Sequence, residues 1–221
     1  MPREMMNRQL HQLQDEILIL GSMVEQAVFK SIDALKTHNT VSAQQVIDND
    51  RRINEKRFAI ENTILITIAT QQPMAHDLRQ LASMLEIITE LERIGDYAKG
   101  NARTMLRLAN AEINLPTREL SQMTEVSMRM LRGALDAFIR EDYGLATRIP
   151  GLDDTVDELY LRVYQYLVQA MIADPGKINA TNLVLWVAHN LERTADRVVN
   201  ICERTVFTTT GELLELASNE E

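Results

Sequence analysis

Apolar residues recur every three or four positions along most of the chain, which is the spacing of an amphipathic α-helix. Eight Gly and five Pro in 221 residues are too few for the turns of a many-stranded β fold. The uninterrupted periodic segments predict six helices, with approximate spans 4–38, 42–71, 75–110, 116–141, 143–173 and 178–208. Because Pro150 stands inside the fifth span, we expect that helix to bend or restart there.

The second half of the chain repeats the first. Three segments recur in the same order, two at a displacement of 103 and one at 100. The pairs are SIDAL 31–35 with ALDAF 134–138, DRRIN 50–54 with DDTVD 153–157, and LERIGD 91–96 with LERTAD 191–196. These three matches indicate a duplicated unit of three helices. The predicted fold is all-α, two tandem three-helix bundles, with domains at 1–112 and 113–221, the second ending in an acidic tail.

Composition excludes several classes of protein. The net charge of −9 and the scarcity of aromatic rings argue against direct binding of nucleic acid. One cysteine, Cys202, cannot form an internal disulfide. The most apolar runs, ILIL at 17–20 and ILITIA at 64–69, are far shorter than the roughly 20 residues of a membrane span. We therefore expect a soluble cytoplasmic protein without membrane insertion.

Acidic and amide side chains recur one helical turn apart on the second and third helices of each unit. If these helices pack antiparallel, their oxygen-bearing pairs converge, giving each bundle one candidate cation site. The predicted ligands are Asp50, Asn54, Glu92 and Asp96 in the first half, and Asp153, Asp157, Glu192 and Asp196 in the second half.

A solvated acidic edge is the simpler interpretation of one such pair on one helix. At a partly buried site, however, two carboxylates about 6 Å apart repel by roughly 3 kcal/mol at an effective dielectric of about 20. A bound cation or protonation of one carboxyl removes that repulsion. Oxygen ligands suit Mg²⁺, Ca²⁺, Mn²⁺ or iron, with Zn²⁺ on the same oxygens left open. A buried polar network without metal is the alternative.

The two candidate sites differ in charge. The first carries Lys99 where the second has Val199, and Arg103 where the second has Glu203. Asn54 also replaces an aspartate. We therefore predict that the second site binds metal more tightly.

Catalytic motifs are missing from the sequence: it has no Gly-rich phosphate loop, no G-x-S-x-G turn and no H-E-x-x-H helix. Together with the repeated acidic sites, this absence favours a non-enzymatic protein. A metal-dependent hydrolase, in which a carboxylate-bound metal activates water, and a metal-free helical scaffold are the alternatives.

The segments LERIGDYAKGNA at 91–102 and LERTADRVVNICE at 191–203, each preceded by an acidic helix in a duplicated unit, resemble the PhoU family of phosphate-specific transport accessory proteins. The resemblance covers nearly the whole chain. It implies a cytoplasmic negative regulator of phosphate uptake and of the phosphate-starvation regulon. It also implies a homodimer that relays the state of a phosphate ABC transporter, with its PstB-type ATPase, to a PhoR-type sensor histidine kinase.

The resemblance also implies metal binding through the E/D-x-x-x-D motifs, with the eight predicted ligands as the matching positions. Two kinds of departure concern these motifs. The family often has Asn four residues after the motif Asp; Asn200 fits, whereas Gly100 stands in the first half and Asn101 is displaced by one. Tyr97 and Arg197 stand where the family frequently has His.

Overall fold

The computed structural model describes residues 2–109, 111 and 113–216. Within these residues the chain forms six long helices and one short helix, and it contains no strand, so the predicted all-α class is confirmed. The helices are α1 Pro2–Lys36, α2 Thr40–Gln71, α3 Ala75–Leu108, α4 Thr117–Arg140, α5 Tyr143–Ala146, α6 Asp153–Ala173 and α7 Ile178–Thr210. None of the helices in this part of the chain has both the length and the apolar character needed to cross a membrane.

The ends of the long helices agree with the sequence pattern to within two residues, except in the fifth predicted helix. There the chain forms α5, then a 3₁₀ turn over Pro150–Leu152, and only then α6. The restart expected at Pro150 is confirmed, because proline has no N–H to continue the α-helical ladder. Consequently Asp153 is the first residue of α6.

Parts of the predicted domain ends lie outside the described residues. Residue 112, the predicted end of the first domain, and Glu220 and Glu221 of the acidic tail belong to this group. Glu212 and Glu215, the tail residues that the structure describes, are exposed.

Each half forms a three-helix bundle, as predicted. Helices α1, α2 and α3 pack against one another, and so do α4, α6 and α7. Their facing sides supply the apolar core, which includes Ile17, Ile53 and Ile87 in the first half and Phe138, Val163 and Leu191 in the second half.

The two bundles are joined chiefly by α3 packing against α7, with a smaller contact between α1 and α4. Arg197 of α7 forms an ion pair with Glu90 of α3 at 3.3 Å. Farther along the same interface, the Asn190 side chain donates a hydrogen bond to the Asn101 Oδ1 at 2.8 Å. The order of these contacts shows that α3 and α7 run antiparallel. Helices α2 and α6 pack chiefly within their own bundles, so they lie on the outside of the molecule.

Gly95 lies within the acidic motif of α3 and faces α2 and α1. A Cβ atom placed on Gly95 would lie 3.4 Å from two side-chain carbons of Ile53 on α2 and 3.9 Å from Val24 on α1. A methyl group fits at these distances, and a larger side chain does not. The equivalent position of the second half holds Ala195.

The substitution Gly95→Ala is expected to raise the free energy of urea unfolding by about 0.5–1 kcal/mol, because alanine restricts the unfolded chain and favours helix. Gly95→Leu should instead lower it by about 1–3 kcal/mol through overpacking. Equal destabilisation by both substitutions would show that the helices tolerate no added atom at this position.

Candidate metal centres

The four carboxylates predicted for the second half come together where α6 packs against α7. Asp153 and Asp157 occupy the first two turns of α6, and Glu192 and Asp196 lie one turn apart in the middle of α7. Asp153 is buried, with 4% of its surface exposed, whereas Asp157 at the edge of the group is exposed. We call these four residues the second acidic cluster.

Burial and mutual repulsion raise the pKa values of this cluster. Burial, together with the nearby carboxylates of Asp157, Asp196 and Glu192, raises the pKa of Asp153 to about 7. The pKa of Glu192 is raised to about 7 as well, first by burial and then by Asp196 and Asp157. Burial also raises the pKa of Asp196, against the lowering effect of nearby arginines. At neutral pH the cluster therefore holds its full negative charge only at a cost in free energy.

Two carboxylate oxygens of the cluster are buried without a hydrogen-bond partner, Oδ1 of Asp153 and Oε2 of Glu192. His189 Nδ1 lies 3.1 Å from Glu192 Oε2, an ion pair when the imidazole is protonated, although the two groups do not align as a hydrogen bond. A buried polar atom left unsatisfied costs roughly 1–3 kcal/mol, and more when it is charged. Asp153 and Glu192 thus each bury one carboxylate oxygen without a hydrogen-bond donor.

Arg193 and Arg197 of α7 lower the pKa of Asp196, but they also contact residues of α3. The guanidinium of Arg193 stacks over the Tyr97 ring, 4.9 Å from its centroid. Arg197 pairs with the buried carboxylate of Glu90. Tyr97 and Arg197 are the positions that depart from the family pattern, and both form part of the packing between the bundles.

Sequence reasoning missed Glu90, although a signal was present. At the repeat displacement of 100, Glu90 corresponds to Asn190, so a polar residue directly precedes the L-E-R motif in both halves. Both side chains form polar contacts across the α3–α7 interface. Two polar residues at matching positions were therefore a sign of a polar contact between the repeats.

The first-half ligands also gather between two helices, α2 and α3, but their charge is compensated. The Lys99 ammonium contacts the buried carboxylate of Asp50 and lies 3.7 Å from Asp96. The Asn54 amide donates a hydrogen bond to Asp50 at 3.3 Å. Lys99 thus has the neutralising position expected from the sequence, whereas Arg103 is exposed. We call Asp50, Asn54, Glu92 and Asp96 the first acidic cluster.

A second cation approaches the first acidic cluster from α2. Burial raises the pKa of Glu92 and Asp96 raises it further, while the guanidinium of Arg57 lowers it. Arg57 also forms an ion pair with Glu61 at 2.9 Å. At the repeat displacement of 103, the residue equivalent to Arg57 in the second half is Tyr160, which carries no charge.

The predicted ligands therefore form two acidic clusters, and their donor chemistry is that of a site for a hard cation. In the ranges 2–109, 111 and 113–216, however, no three His, Cys, Asp or Glu side chains are arranged to hold an ion between them. In the second acidic cluster, the buried oxygens of Asp153 and Glu192 lack hydrogen-bond donors and could accept a cation. In the first acidic cluster, the Lys99 ammonium already contacts Asp50 and lies near Asp96.

Sequence comparison supports the duplication and the family resemblance. The family model described as the PhoU domain matches the chain twice, at residues 17–105 and 120–205. The phosphate-specific transport system accessory protein PhoU homolog of Clostridium acetobutylicum is 33% identical over 217 residues, which cover 98% of this chain and 99% of the relative. The PhoU protein of Escherichia coli K12 is 32% identical over 206 residues, covering 93% of this chain and 86% of the relative.

Two crystal structures share the fold. The phosphate transport system regulatory protein PhoU from Streptococcus pneumoniae superposes with a TM-score of 0.87 at 32% identity, covering 95% of this chain and 99% of that chain. PhoU from Pseudomonas aeruginosa gives a TM-score of 0.87 at 32% identity, with coverages of 93% and 99%. The match of both repeats, of nearly the whole sequence and of the six-helix architecture shows that the chain belongs to the PhoU family.

Proposed function

We propose that this protein is a non-enzymatic cytoplasmic regulator of phosphate transport. It represses phosphate uptake and the phosphate-starvation regulon by relaying the state of a phosphate ABC transporter to a sensor histidine kinase. The observation that carries this proposal is similarity over nearly the full length to relatives named as accessory proteins of the phosphate-specific transport system. The proposed partners are a PstB-type ATPase and a PhoR-type kinase, and the proposed assembly is a homodimer.

The surface of the molecule supports a role in binding other proteins. The two outer helices, α2 and α6, carry large apolar side chains that no other helix of the described chain covers. Exposed apolar groups of this kind are typical of contact surfaces when they are grouped. They are Val41, Phe58, Leu65 and Ile66 on α2, and Leu161, Tyr164, Tyr166 and Ile172 on α6.

We also propose that the second acidic cluster binds a divalent or trivalent cation, of the Mg²⁺, Mn²⁺, iron or Zn²⁺ kind, through its four carboxylates. The unpartnered buried oxygens of Asp153 and Glu192 support this proposal. When bound, the cation supplies the positive charge that relieves repulsion between α6 and α7. Asp153 and Asp157 would hold it from α6, and Glu192 and Asp196 from α7. The first acidic cluster is the weaker site because Lys99 occupies its aspartates.

The purified protein is expected to capture the PstB-type ATPase and the PhoR-type kinase in a pull-down. A chelator, or the double variant Asp153→Asn with Glu192→Gln, should weaken the capture if the cation orders the surface formed by α6 and α7. The matched first-half variant, Asp50→Asn with Glu92→Gln, should retain it. No capture by the unaltered protein, with or without added Mn²⁺, would refute the adaptor role.

Titration with Mn²⁺, followed by electron paramagnetic resonance, is expected to show one tighter site that disappears in the variant Asp153→Asn with Glu192→Gln. Lys99→Val gives the first half the residue found at Val199. It should tighten the weaker site about tenfold, since one opposing charge near a partly buried site is worth at least about 1.4 kcal/mol. Two equal sites, or a tighter first site, would contradict the proposed asymmetry.

Stability of the metal-free protein is expected to depend on pH with a definite sign. The pKa values of Asp153 and Glu192 are raised in the folded state to about 7 from ordinary values of 3.8 and 4.5. Their contribution to stability is therefore complete below about pH 4 and is lost as the pH rises through about 7. Urea unfolding in chelator should show a loss of roughly 2–4 kcal/mol between pH 5 and pH 8.

Two controls accompany this pH series. The variant Asp153→Asn with Glu192→Gln should lose less stability over the same range, because neutral amides replace the titrating carboxyls. Saturating Mn²⁺ should restore stability to the unaltered protein at pH 8. An identical pH profile for the protein and its variant would show that these carboxyls do not control stability.

A further inference from the structure

A groove lies between α1 and α2 of the first bundle, and none of the eight predicted metal ligands lines it. Its volume is about 200 Å³. Sites for drug-sized ligands begin at roughly 300 Å³, so this groove suits a small ion or a single compact group.

The groove combines polar walls with an apolar floor. The floor includes Val46 and Ile53, which are buried in the core of the bundle. No aspartate or glutamate of the described chain lines the groove, so its charge is positive. The four polar lining residues are all exposed to solvent, and they are Gln26 and Lys30 from α1 and Asn49 and Arg52 from α2.

Both cations of the groove are unpaired. Among the described side chains, none forms an ion pair or a hydrogen bond with the Lys30 ammonium or the Arg52 guanidinium. The acids one turn from Arg52 are engaged elsewhere: Asp48 accepts a hydrogen bond from a glutamine at 2.9 Å, and Glu55 pairs with another arginine at 2.9 Å. Asp33, one turn after Lys30, does not line the groove. Two unpaired cations at one concave surface create a local positive potential in a chain whose net charge is −9.

The second half shows that the fold does not require these cations. A Cβ atom placed on Gly133 would lie 3.1 Å from Cδ1 of Ile149, so a side chain fits there only if Ile149 moves. Arg129 is the one cation at the matching positions, and the pair of cations is therefore a feature of the first half. At the displacement of 103, the matches are Arg129 for Gln26, Gly133 for Lys30, Leu152 for Asn49 and Thr155 for Arg52.

This set of donors matches an oxyanion. The guanidinium of arginine can bond two oxygens of a phosphate at once, and the lysine ammonium binds phosphate as a point charge. Side-chain amides add further N–H donors. An apolar floor lowers the local dielectric and so strengthens the attraction between the cations and an anion. The groove therefore suits a small dianion with several oxygen atoms.

We infer that the α1–α2 groove binds a phosphate group, either as inorganic phosphate or as a small phosphate monoester. Lys30 and Arg52 supply the charge, and the amides of Gln26 and Asn49 supply further donors. The size and charge of the ligand are argued from the groove, whereas the choice of phosphate among tetrahedral dianions rests on the proposed function in phosphate transport. Because no carboxylate lines the groove to accept a hydrogen bond from a protonated phosphate oxygen, sulfate should bind nearly as well.

The test is equilibrium dialysis of the full chain against radiolabelled inorganic phosphate, at low ionic strength and in the presence of a chelator. Low ionic strength limits screening of the exposed cations. The chelator ensures that phosphate does not bind through a metal at the acidic clusters. One saturable site per chain is expected. Sulfate should displace phosphate at concentrations within tenfold of phosphate itself, whereas chloride should need at least tenfold more.

The double variant Lys30→Gln with Arg52→Thr should weaken phosphate binding at least tenfold, because it removes both cations of the groove. The matched control is Arg129→Gln with Arg148→Gln. It removes two exposed arginines of the second half and changes the net charge by the same amount. The control should bind phosphate like the unaltered protein, and both variants should keep the helical circular dichroism signal.

Competition with glycerol 3-phosphate distinguishes the two sources of the phosphate group. Tighter binding of the ester would assign the groove to a phosphate monoester. Equal or tighter binding of inorganic phosphate would assign it to the free ion.

The absence of saturable phosphate binding, or equal binding by the double variant and the unaltered protein, would overturn the inference. An equal loss in the control variant would also overturn it, since binding would then follow net charge alone. Failure of sulfate to compete would contradict the donor chemistry assigned to the groove. The pull-down is a separate measurement: capture of the ATPase and kinase without phosphate binding would leave the adaptor role in place, and phosphate binding without capture would refute that role but not the site.

Discussion

Burial and mutual repulsion oppose the full negative charge of the carboxylates between α6 and α7 at neutral pH. Burial alone raises the pKa of Asp153, and each neighbouring carboxylate raises it further. Helix packing causes this burial. Asp153 is the first residue of α6, directly after the 3₁₀ turn that begins at Pro150, and it lies buried where α6 packs against α7. The stability and the cation chemistry proposed for the second half both follow from how that charge is balanced.

The duplication allows the two halves to be compared, since the same helix arrangement appears twice but the charge of its acidic cluster is balanced differently. In the first half Lys99 contacts Asp50, Asn54 replaces an aspartate, and Arg57 lies near Glu92. These contacts place positive charge and an amide donor directly on the first acidic cluster. The second half has Val199, Asp157 and Tyr160 at the matching positions, and its nearby positive groups are His189, Arg193 and Arg197. The pKa values of about 7 for Asp153 and Glu192 show that these groups balance the charge of the second cluster only in part.

The long-range repeat and the 3.6-residue period were enough to predict the six long helices, the two bundles and the gathering of the eight polar residues between paired helices. Periodicity cannot reveal which way a long side chain turns. Arg193 and Arg197 lie beside the acidic stripe in sequence, yet they point to Tyr97 and Glu90 across the interface between the bundles. The groove between α1 and α2 was likewise invisible, because it depends on the spacing of these two helices rather than on any local motif.

The interface between the repeats also explains how a change at the second acidic cluster would reach the rest of the molecule. Helix α7 carries Glu192 and Asp196 on the side facing α6, and Arg193 and Arg197 toward α3. Both arginines also lower the pKa of Asp196, so the two sides of α7 are electrostatically linked. A cation bound beside Asp196, as proposed, would weaken the attraction between Asp196 and these arginines and would favour their contacts with Tyr97 and Glu90. Charge balance at the second acidic cluster and packing between the bundles would then be coupled through α7.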